Sequence, residues 1–302
     1  LYARLCPAHA PPRDRLPGVR PVTDLHSDLR TASSIARAAG AAAMRFYGTT
    51  ASVAKADESP VTAADHAAND VIVAGLREAF PGDAILSEES KDSAERLSAR
   101  RVWIVDPLDG TKEFLAQNGE FSIMIGLAVD GEAVLGVVYL PAIDVLYAGA
   151  PGEGAWVERD GEREPLTRGA ADPAALRLVG SRSHAEPLVE RLREALGITD
   201  VAPCGSVGVK CTRIAHDQRD LYLHPVPYLK EWDTCAPEAI LRAAGGTVTD
   251  CRGESLRYNK PDPRQPHGIF ACAPGVAEMV MGKWLGMYGE AGGKQGVRSQ
   301  GS

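Results

Sequence analysis

What this chain lacks narrows its chemistry first. No two of its six cysteines (Cys6, Cys204, Cys211, Cys235, Cys251 and Cys272) stand at C-x-x-C spacing, and no histidines cluster with them. A zinc site or a dithiol redox centre therefore has no ligand set to start from. Thiols scattered in this way read as buried residues of a protein kept in a reducing cytosol, so a cytoplasmic location is expected. No apolar run approaches the roughly 18 residues that a membrane-spanning helix requires, and no stable membrane anchor is expected. An excess of basic charge is missing too. The 33 Lys and Arg residues face 40 Asp and Glu, for a formal net charge of −7. A binder of nucleic-acid polymers needs a broad basic surface, which excludes that class. A small anionic ligand held by a few local cations remains open. Internal repeats and low-complexity core segments are also absent.

What is present suits a globular enzyme. The 302 residues, 44% of them hydrophobic, can bury a substantial core and leave room for two domains. Residues 1–22 contain five prolines and no signal-peptide apolar region, which predicts a disordered N-terminal extension. The glycine-rich residues 288–302 predict a disordered tail. A helical pattern starts at Asp24 and repeats through Leu25, Leu29, Ala32, Ile35, Ala36 and Ala39. After a polar loop at Lys55–Pro60, Thr62 reads as the cap of a second helix, with Ala64, Ala68, Val71, Ile72 and Leu76 on its apolar face. Apolar runs at 84–87, 102–105, 121–129, 132–140, 145–149 and 155–158 predict strands, with Asp130-Gly131 as a hairpin turn. Residues 23–170 thus predict an α+β unit with a largely antiparallel sheet. Residues 171–287 alternate. Strands are expected at 176–180, 220–224, 247–249 and 269–273, and helices at 186–196, 207–216, 233–244 and 276–285. That order predicts a smaller α/β unit.

The most informative stretch is Trp103-Ile-Val-Asp-Pro-Leu-Asp-Gly-Thr-Lys-Glu-Phe114. Asp106 stands at the carboxyl end of an apolar strand, and Pro107 is expected to end its ladder for want of an N–H. Asp109 returns towards the same point through a turn that Gly110 permits. Two carboxylates aimed at one spot repel each other unless a cation sits between them. Glu88, followed by Glu89, ends another strand, Asp233 opens a helix, and Asp65 lies in a first helical turn. Taken singly, these are a solvated loop, an N-cap and a partner of the helix dipole. Taken together they are hard oxygen ligands that point to Mg²⁺, two to three ions, rather than to zinc. Such ions would turn a cluster that repels phosphate into a platform that binds it, with a metal-activated water as nucleophile. Thr111 adds a hydroxyl that orients this water if Asp65 accepts from it. The Gly110–Thr111 amides, if they open a helical turn, would bind phosphate oxygens.

Asp106-Pro-Leu-Asp-Gly-Thr111, Glu88-Glu89 and Trp232-Asp233 resemble the signature of the inositol monophosphatase superfamily of Mg²⁺-dependent, lithium-sensitive phosphatases, over about residues 28–286. The resemblance implies a layered α-β-α-β-α sandwich of the sugar-phosphatase type, of mixed α+β and α/β character, with two subdomains. It implies that Glu88, Asp106, Asp109, Asp233 and the backbone carbonyl of Leu108 are metal ligands. Asp65 and Thr111 would activate the water, and Asp57, in the Lys55–Pro60 loop, would lie near a third metal. Inhibition by Li⁺ and Ca²⁺ and the option of a homodimer come with the same resemblance.

The residues after Thr111 sharpen it. Lys112-Glu113-Phe114 stands where inositol monophosphatases usually carry Thr-Asn, and Gly180-Ser-Arg-Ser-His184 follows in the second half. Both are similar to the 3′(2′),5′-bisphosphate nucleotidases of the CysQ type. In that branch His184 would lie near the adenosine, and Gly205, Ser206 and Lys210 would contact the distal part of the substrate. Lys112 and Arg182 would hold the second phosphate as point charge and fork, while Gly110, Thr111 and Asp233 would also touch substrate. One departure concerns His224, which stands where many of these enzymes carry an arginine. A histidine supplies a partial charge at best at pH 7. The expected activity is removal of the 3′-phosphate of adenosine 3′,5′-bisphosphate, giving AMP, with 3′-phosphoadenylyl sulfate as a related substrate of sulfur metabolism. The alternatives are an inositol 1-phosphate or fructose 1,6-bisphosphate phosphatase of the same mechanism, or a non-catalytic cation-binding homologue. The intact Asp65–Thr111 pair argues against the last.

Overall fold

Two helices precede the main sheet. In the computed structural model, which describes residues 24–48, 53–54, 60–61, 63–182 and 186–295, Asp24 caps the first helix by accepting from Ser27 N at 2.9 Å. Helix α1 spans Leu25–Met44. The pair β1 (Val53–Ala54) and β2 (Pro60–Val61) leads to α2 (Ala63–Ala79). Residues 1–22, Asp57, Thr62 and His184 lie outside the described residues.

The next elements are β3 (Ala84–Ser87), β4 (Arg101–Asp109), α3 (Thr111–Leu115), β5 (Ser122–Val129), β6 (Glu132–Leu140), β7 (Val145–Ala150), β8 (Gly154–Arg159) and β9 (Glu162–Pro165). Strands β3 to β9 form one seven-stranded sheet in sequence order. Only the β3–β4 pair is parallel; hairpins join β5 to β9. Asp130 and Gly131, both at positive φ, make the tight turn that their dipeptide predicts. The chain continues through β10 (Arg177–Ser181), α4 (Pro187–Ala195), β11 (Asp200–Cys204), α5 (Val207–Ala215), β12 (Leu221–His224), α6 (Glu231–Ala243), β13 (Thr247–Thr249), β14 (Ile269–Cys272) and α7 (Ala277–Gln295). The second sheet has the order β11-β10-β12-β14-β13, parallel at β11-β10-β12 and antiparallel beyond.

Strand alternation builds the layers. Trp103, Val105, Ile123, Ile125, Leu127 and Val137 face α1 and α2, meeting Leu29, Ala36, Ile72 and Leu76. Val102, Ile104, Met124 and Val138 point the other way, towards Val209 and Ile214 of α5 and Ala236 and Ile240 of α6. That middle layer also receives Val179, Tyr222 and Ile269 from the inner face of the second sheet. Leu178, Leu223 and Phe270 on its outer face meet Val189, Leu192, Val280 and Trp284 of α4 and α7. The result is the expected α-β-α-β-α sandwich. Each buried aliphatic or aromatic side chain contributes about 1.5–3 kcal/mol.

The middle layer fixes how deeply α6 sits. A Cβ at Gly136 would collide with the Ala236 carbonyl, and one at Gly126 would come within 2.6 Å of the Cys235 Sγ. Two glycines on adjacent strands therefore let the helix lie directly on the first sheet.

Several boundaries differ from expectation. Pro107 does not end the β4 ladder, since pairing resumes at Asp109. Helix α6 begins at Glu231, so Asp233 is its third residue and not its cap. Helix α7 runs to Gln295, beyond the expected end at Leu285 and into the segment expected to be disordered. Each glycine there costs about 1 kcal/mol relative to alanine, but the intervening Glu290, Ala291 and Lys294 favour helix. Strands β9 and β11 escape the apolar-run criterion because both lie at sheet edges and are mostly exposed, Pro203 included.

Candidate active site

Asp106 and Asp109 are three residues apart, and in a regular strand they would face opposite sides. They share a side because β4 carries one extra residue. Asp106 pairs with Met124 and Asp109 with Ser122, so three steps on β4 oppose two on β5. This is a β-bulge, and it is where Pro107 is tolerated. The Asp106 Oδ1 accepts from Leu108 N at 3.0 Å, which closes the bulge on itself.

Asp109 is held from the second half of the chain. Its Oδ2 accepts from Ser206 Oγ at 2.5 Å and from Gly208 N at 3.0 Å. Ser206 also caps α5, accepting from Val209 N at 3.1 Å, and lies 2.9 Å from Ser122 Oγ. Its single hydrogen is committed to Asp109, so Ser122 donates to Ser206. Ser206 has a φ of 45°, an uncommon conformation for a residue with a side chain. Ser206 lines the pocket as expected, but its hydroxyl serves Asp109.

Asp233 enters from α6, which the two glycines seat on the sheet. Its Oδ2 accepts from Lys230 N at 2.5 Å, reaching back over the first turn. One carboxylate oxygen each from Asp106, Asp109 and Asp233 lies within 4.8 Å of the other two. Glu88 follows β3, and its N–H donates to Val105 O at 3.2 Å, which anchors it beside β4. Burial, then the charges of Glu88, Asp109 and Asp233, push the Asp106 carboxyl far above the usual carboxylate range. Asp233 is pushed the same way by burial and then by Asp109 and Glu88. Among the described residues, no lysine or arginine side chain pairs with Asp106, Asp109 or Asp233. A cluster of hard oxygens, buried at Asp106 and partly exposed at Asp109 and Asp233, with this charge deficit is the donor set that suits a divalent cation.

Asp65 sits buried in the first turn of α2 and accepts from Thr111 Oγ1 at 3.3 Å. The same hydroxyl lies 3.4 Å from the Leu108 carbonyl. One hydrogen cannot satisfy both, and both contacts are long. Asn69, one turn along α2, accepts from Ser87 Oγ at 2.7 Å and so ties the helix to the end of β3 next to Glu88.

Glu88, Asp109, Thr111, Ser206 and Asp233 line a cavity of about 330 Å³. Its wall continues through Gly110, Lys112, Arg182, Gly205, Lys210 and His224. The Lys210 Nζ lies 5.0 Å from the centre of the Tyr222 ring, and the His224 ring, two residues along the same strand, stacks on that ring at 6.3 Å between centroids. Arg182 donates to Glu120 at 2.7 Å. The cavity and the groups tied to it bring together the expected residues that the structure describes, while Asp57 and His184 lie outside the described residues. Several wall residues were not foreseen, Val207 and Leu229 among them. Tyr222 lies under Lys210 and His224, exposed Tyr228 lines the mouth, and buried Glu113 packs against Gly205 with its carboxyl pushed up by burial. Only Glu113 left a trace in the sequence, as the acid following Lys112.

Comparison with known proteins agrees with this geometry. A CysQ 3′(2′),5′-bisphosphate nucleotidase of Escherichia coli K12 is 43% identical over 228 residues, covering 74% of this chain and 91% of that protein. A 3′-phosphoadenosine 5′-phosphate phosphatase of Mycobacterium leprae is 36% identical, covering 73% and 80%. The crystal structure of CysQ from Bacteroides thetaiotaomicron superposes with a TM-score of 0.70 at 34% identity, covering 82% of this chain and 97% of that one. Residues 24–281 match the profile of the Inositol monophosphatase family. The chain belongs to the inositol monophosphatase family.

Proposed function

We propose that this protein is a Mg²⁺-dependent phosphomonoesterase that removes the 3′-phosphate of adenosine 3′,5′-bisphosphate, leaving AMP, and acts likewise on 3′-phosphoadenylyl sulfate. The observation that carries this reading is the mixed lining of the cavity. The carboxylates of Glu88, Asp109 and Asp233 share it with the basic side chains of Lys112, Arg182, Lys210 and His224. An ester with one phosphate to be cleaved and a second to be held fits such a cavity; a ligand with one phosphate leaves the cationic wall unused. The names of the E. coli and M. leprae relatives support the same substrate class.

In this reading Glu88, Asp106, Asp109, Asp233 and the Leu108 carbonyl hold the cations. Bound Mg²⁺ supplies Lewis acidity, offsetting the carboxylate charge and making a nearby water more acidic. The chain's own groups do the rest. Thr111 Oγ1, donating to Asp65 Oδ1, presents its lone pairs to the attacking water and passes the proton towards the Asp65 carboxylate. Backbone N–H groups at Gly110 and Thr111 face the phosphoryl oxygens. Lys112 meets the second phosphate as a point charge and Arg182 as a planar fork. His224 in the wall leaves this grip weaker than an arginine would, which keeps inositol 1-phosphate and fructose 1,6-bisphosphate as slower substrates.

The test compares kcat/KM for adenosine 3′,5′-bisphosphate and inositol 1-phosphate at saturating Mg²⁺. A preference of tenfold or more for the nucleotide is expected, and a ratio at or below one removes the nucleotidase reading.

A further inference from the structure

Glu120 lies in the loop between α3 and β5, outside the motif that carries the carboxylates. Its side chain is only 16% exposed and takes three donors. Oε2 accepts from Arg182 Nη2 at 2.7 Å and from Gly205 N at 3.0 Å, and Oε1 from Arg213 Nη2 at 3.3 Å. These partners come from the end of β10, the turn after β11 and the far side of α5. One carboxylate from the first sheet's side thus gathers three points of the second half around the cavity wall.

The pairing leaves most of Arg182 available. Only Nη2 is engaged, by Glu120 and by the Pro203 carbonyl at 3.3 Å. Among the described residues, Nε and Nη1 make no hydrogen bond. A guanidinium is planar, so fixing one nitrogen and the side chain's root also fixes the plane of the remaining donors. Arg182 is 42% exposed and belongs to the cavity wall. An exposed arginine without such a partner would sample many rotamers, and ordering a long side chain at binding costs about 0.5–1.5 kcal/mol. Arg213 matters as a second cation. It keeps Glu120 charge-balanced when Arg182 turns its other donors to an anion.

We propose that Glu120 is a positioning residue for selectivity: it pre-orients Arg182 towards the second phosphate of a bisphosphate substrate, and so sets the preference for bisphosphates over monophosphates. This rests on the nucleotidase reading above. A purely structural role is the competing account, because Gly205 precedes Ser206, which donates to Asp109. Losing the Gly205 contact would then disturb hydrolysis of every substrate alike.

Glu120→Gln separates the two, since the amide oxygen in the place of Oε2 still accepts from Gly205 N, whereas Arg182 keeps only a weaker neutral hydrogen bond to that oxygen and loses the charge that holds it. Kinetics with adenosine 3′,5′-bisphosphate and with adenosine 3′-phosphate, which lacks the 5′-phosphate, give the readout. For Glu120→Gln we expect kcat/KM on the bisphosphate to fall at least fivefold more than on the monophosphate, with the excess in KM. Glu120→Asp should restore part of it. Binding of AMP, which keeps the 5′-phosphate, should weaken by a similar factor in calorimetry. Equal losses on both nucleotides, or no loss on either, would overturn the proposal. Failure of the nucleotidase reading shows separately, as wild-type protein that does not prefer the bisphosphate; AMP binding to Glu120→Gln at wild-type affinity would then overturn the positioning role as well.

Discussion

Thr111 and Asp65 come from different elements, 46 residues apart, and meet at 3.3 Å beside the carboxylate cluster. Asp65 lies in the first turn of α2, and Thr111 is the first residue of α3. A buried first-turn aspartate whose oxygen receives a hydroxyl at the edge of a cavity is placed for proton transfer.

Removing either partner should therefore act on turnover. Thr111→Ala and Asp65→Asn are expected to lower kcat by roughly 100- to 10,000-fold, the range for loss of a positioned proton acceptor or relay. KM should change much less. Steady-state kinetics at saturating Mg²⁺ checks this, and turnover near the wild-type rate in either variant would remove both residues from the mechanism.

Asp106 leads to a prediction about pH. Its folded-state carboxyl, like that of Asp233, binds a proton more tightly than in the unfolded chain. Without metal, the stability from that proton is present in full below the ordinary carboxylate value, about pH 4. It is lost as pH rises through the raised folded value. Divalent cations compete for the same oxygens, so the rise in Tm on adding Mg²⁺ should be larger at pH 8 than at pH 5.5. Thermal melts with Mg²⁺ and with EDTA at both values test it. An increment that is the same at both, or smaller at pH 8, would contradict the cluster's protonation.

The seat of α6 can be probed with one methyl group. Gly136→Ala places a Cβ against the Ala236 carbonyl, so the helix must rise or tilt. Overpacking of this kind costs about 1–3 kcal/mol. Because Asp233 rides on the helix, activity should fall by more than the folded fraction does. Urea unfolding together with kcat on the folded protein separates the two effects, and a stable variant with full activity would show that the seat is not tight.

Asp220 is expected to matter for stability alone. It is buried and pairs with Arg168, while its other oxygen accepts from Arg177 N at 2.7 Å and Nε at 2.8 Å. Asp220→Ala leaves the buried Arg168 guanidinium without its main counter-charge, which should cost about 3–5 kcal/mol. Urea midpoints measure the loss, with kcat unchanged in the fraction that stays folded.

Much of this molecule was readable from local pattern. Asp24, the Asp130–Gly131 turn and the alternating runs of β5 and β6 each carry their own signal within a few residues. The carboxylate cluster was readable because Trp103–Thr111 combines an apolar strand with charges that such a strand rarely ends in. What stayed hidden depends on neighbours far along the chain. The bulge at Pro107 exists only relative to β5, so nothing in β4 alone announces it. The hydrogen bond from Ser206 to Asp109 spans 97 residues, so nothing near either residue announces it. Glu120 reads as an ordinary loop acid, and its partners Arg182, Gly205 and Arg213 lie 62 to 93 residues away.

Both sheets contribute to the cavity. Asp109 and Glu88 hang from the first, while Arg182, Lys210 and His224 belong to the second or to the helix beside it. Substitutions in the wall can thus accumulate without touching the strand that sets the carboxylates, and the same hydrolytic core can serve new esters. Glu120 bridges that division, as Asp109 does through Ser206 and Gly208, and it ties the choice of substrate back to the half that cuts.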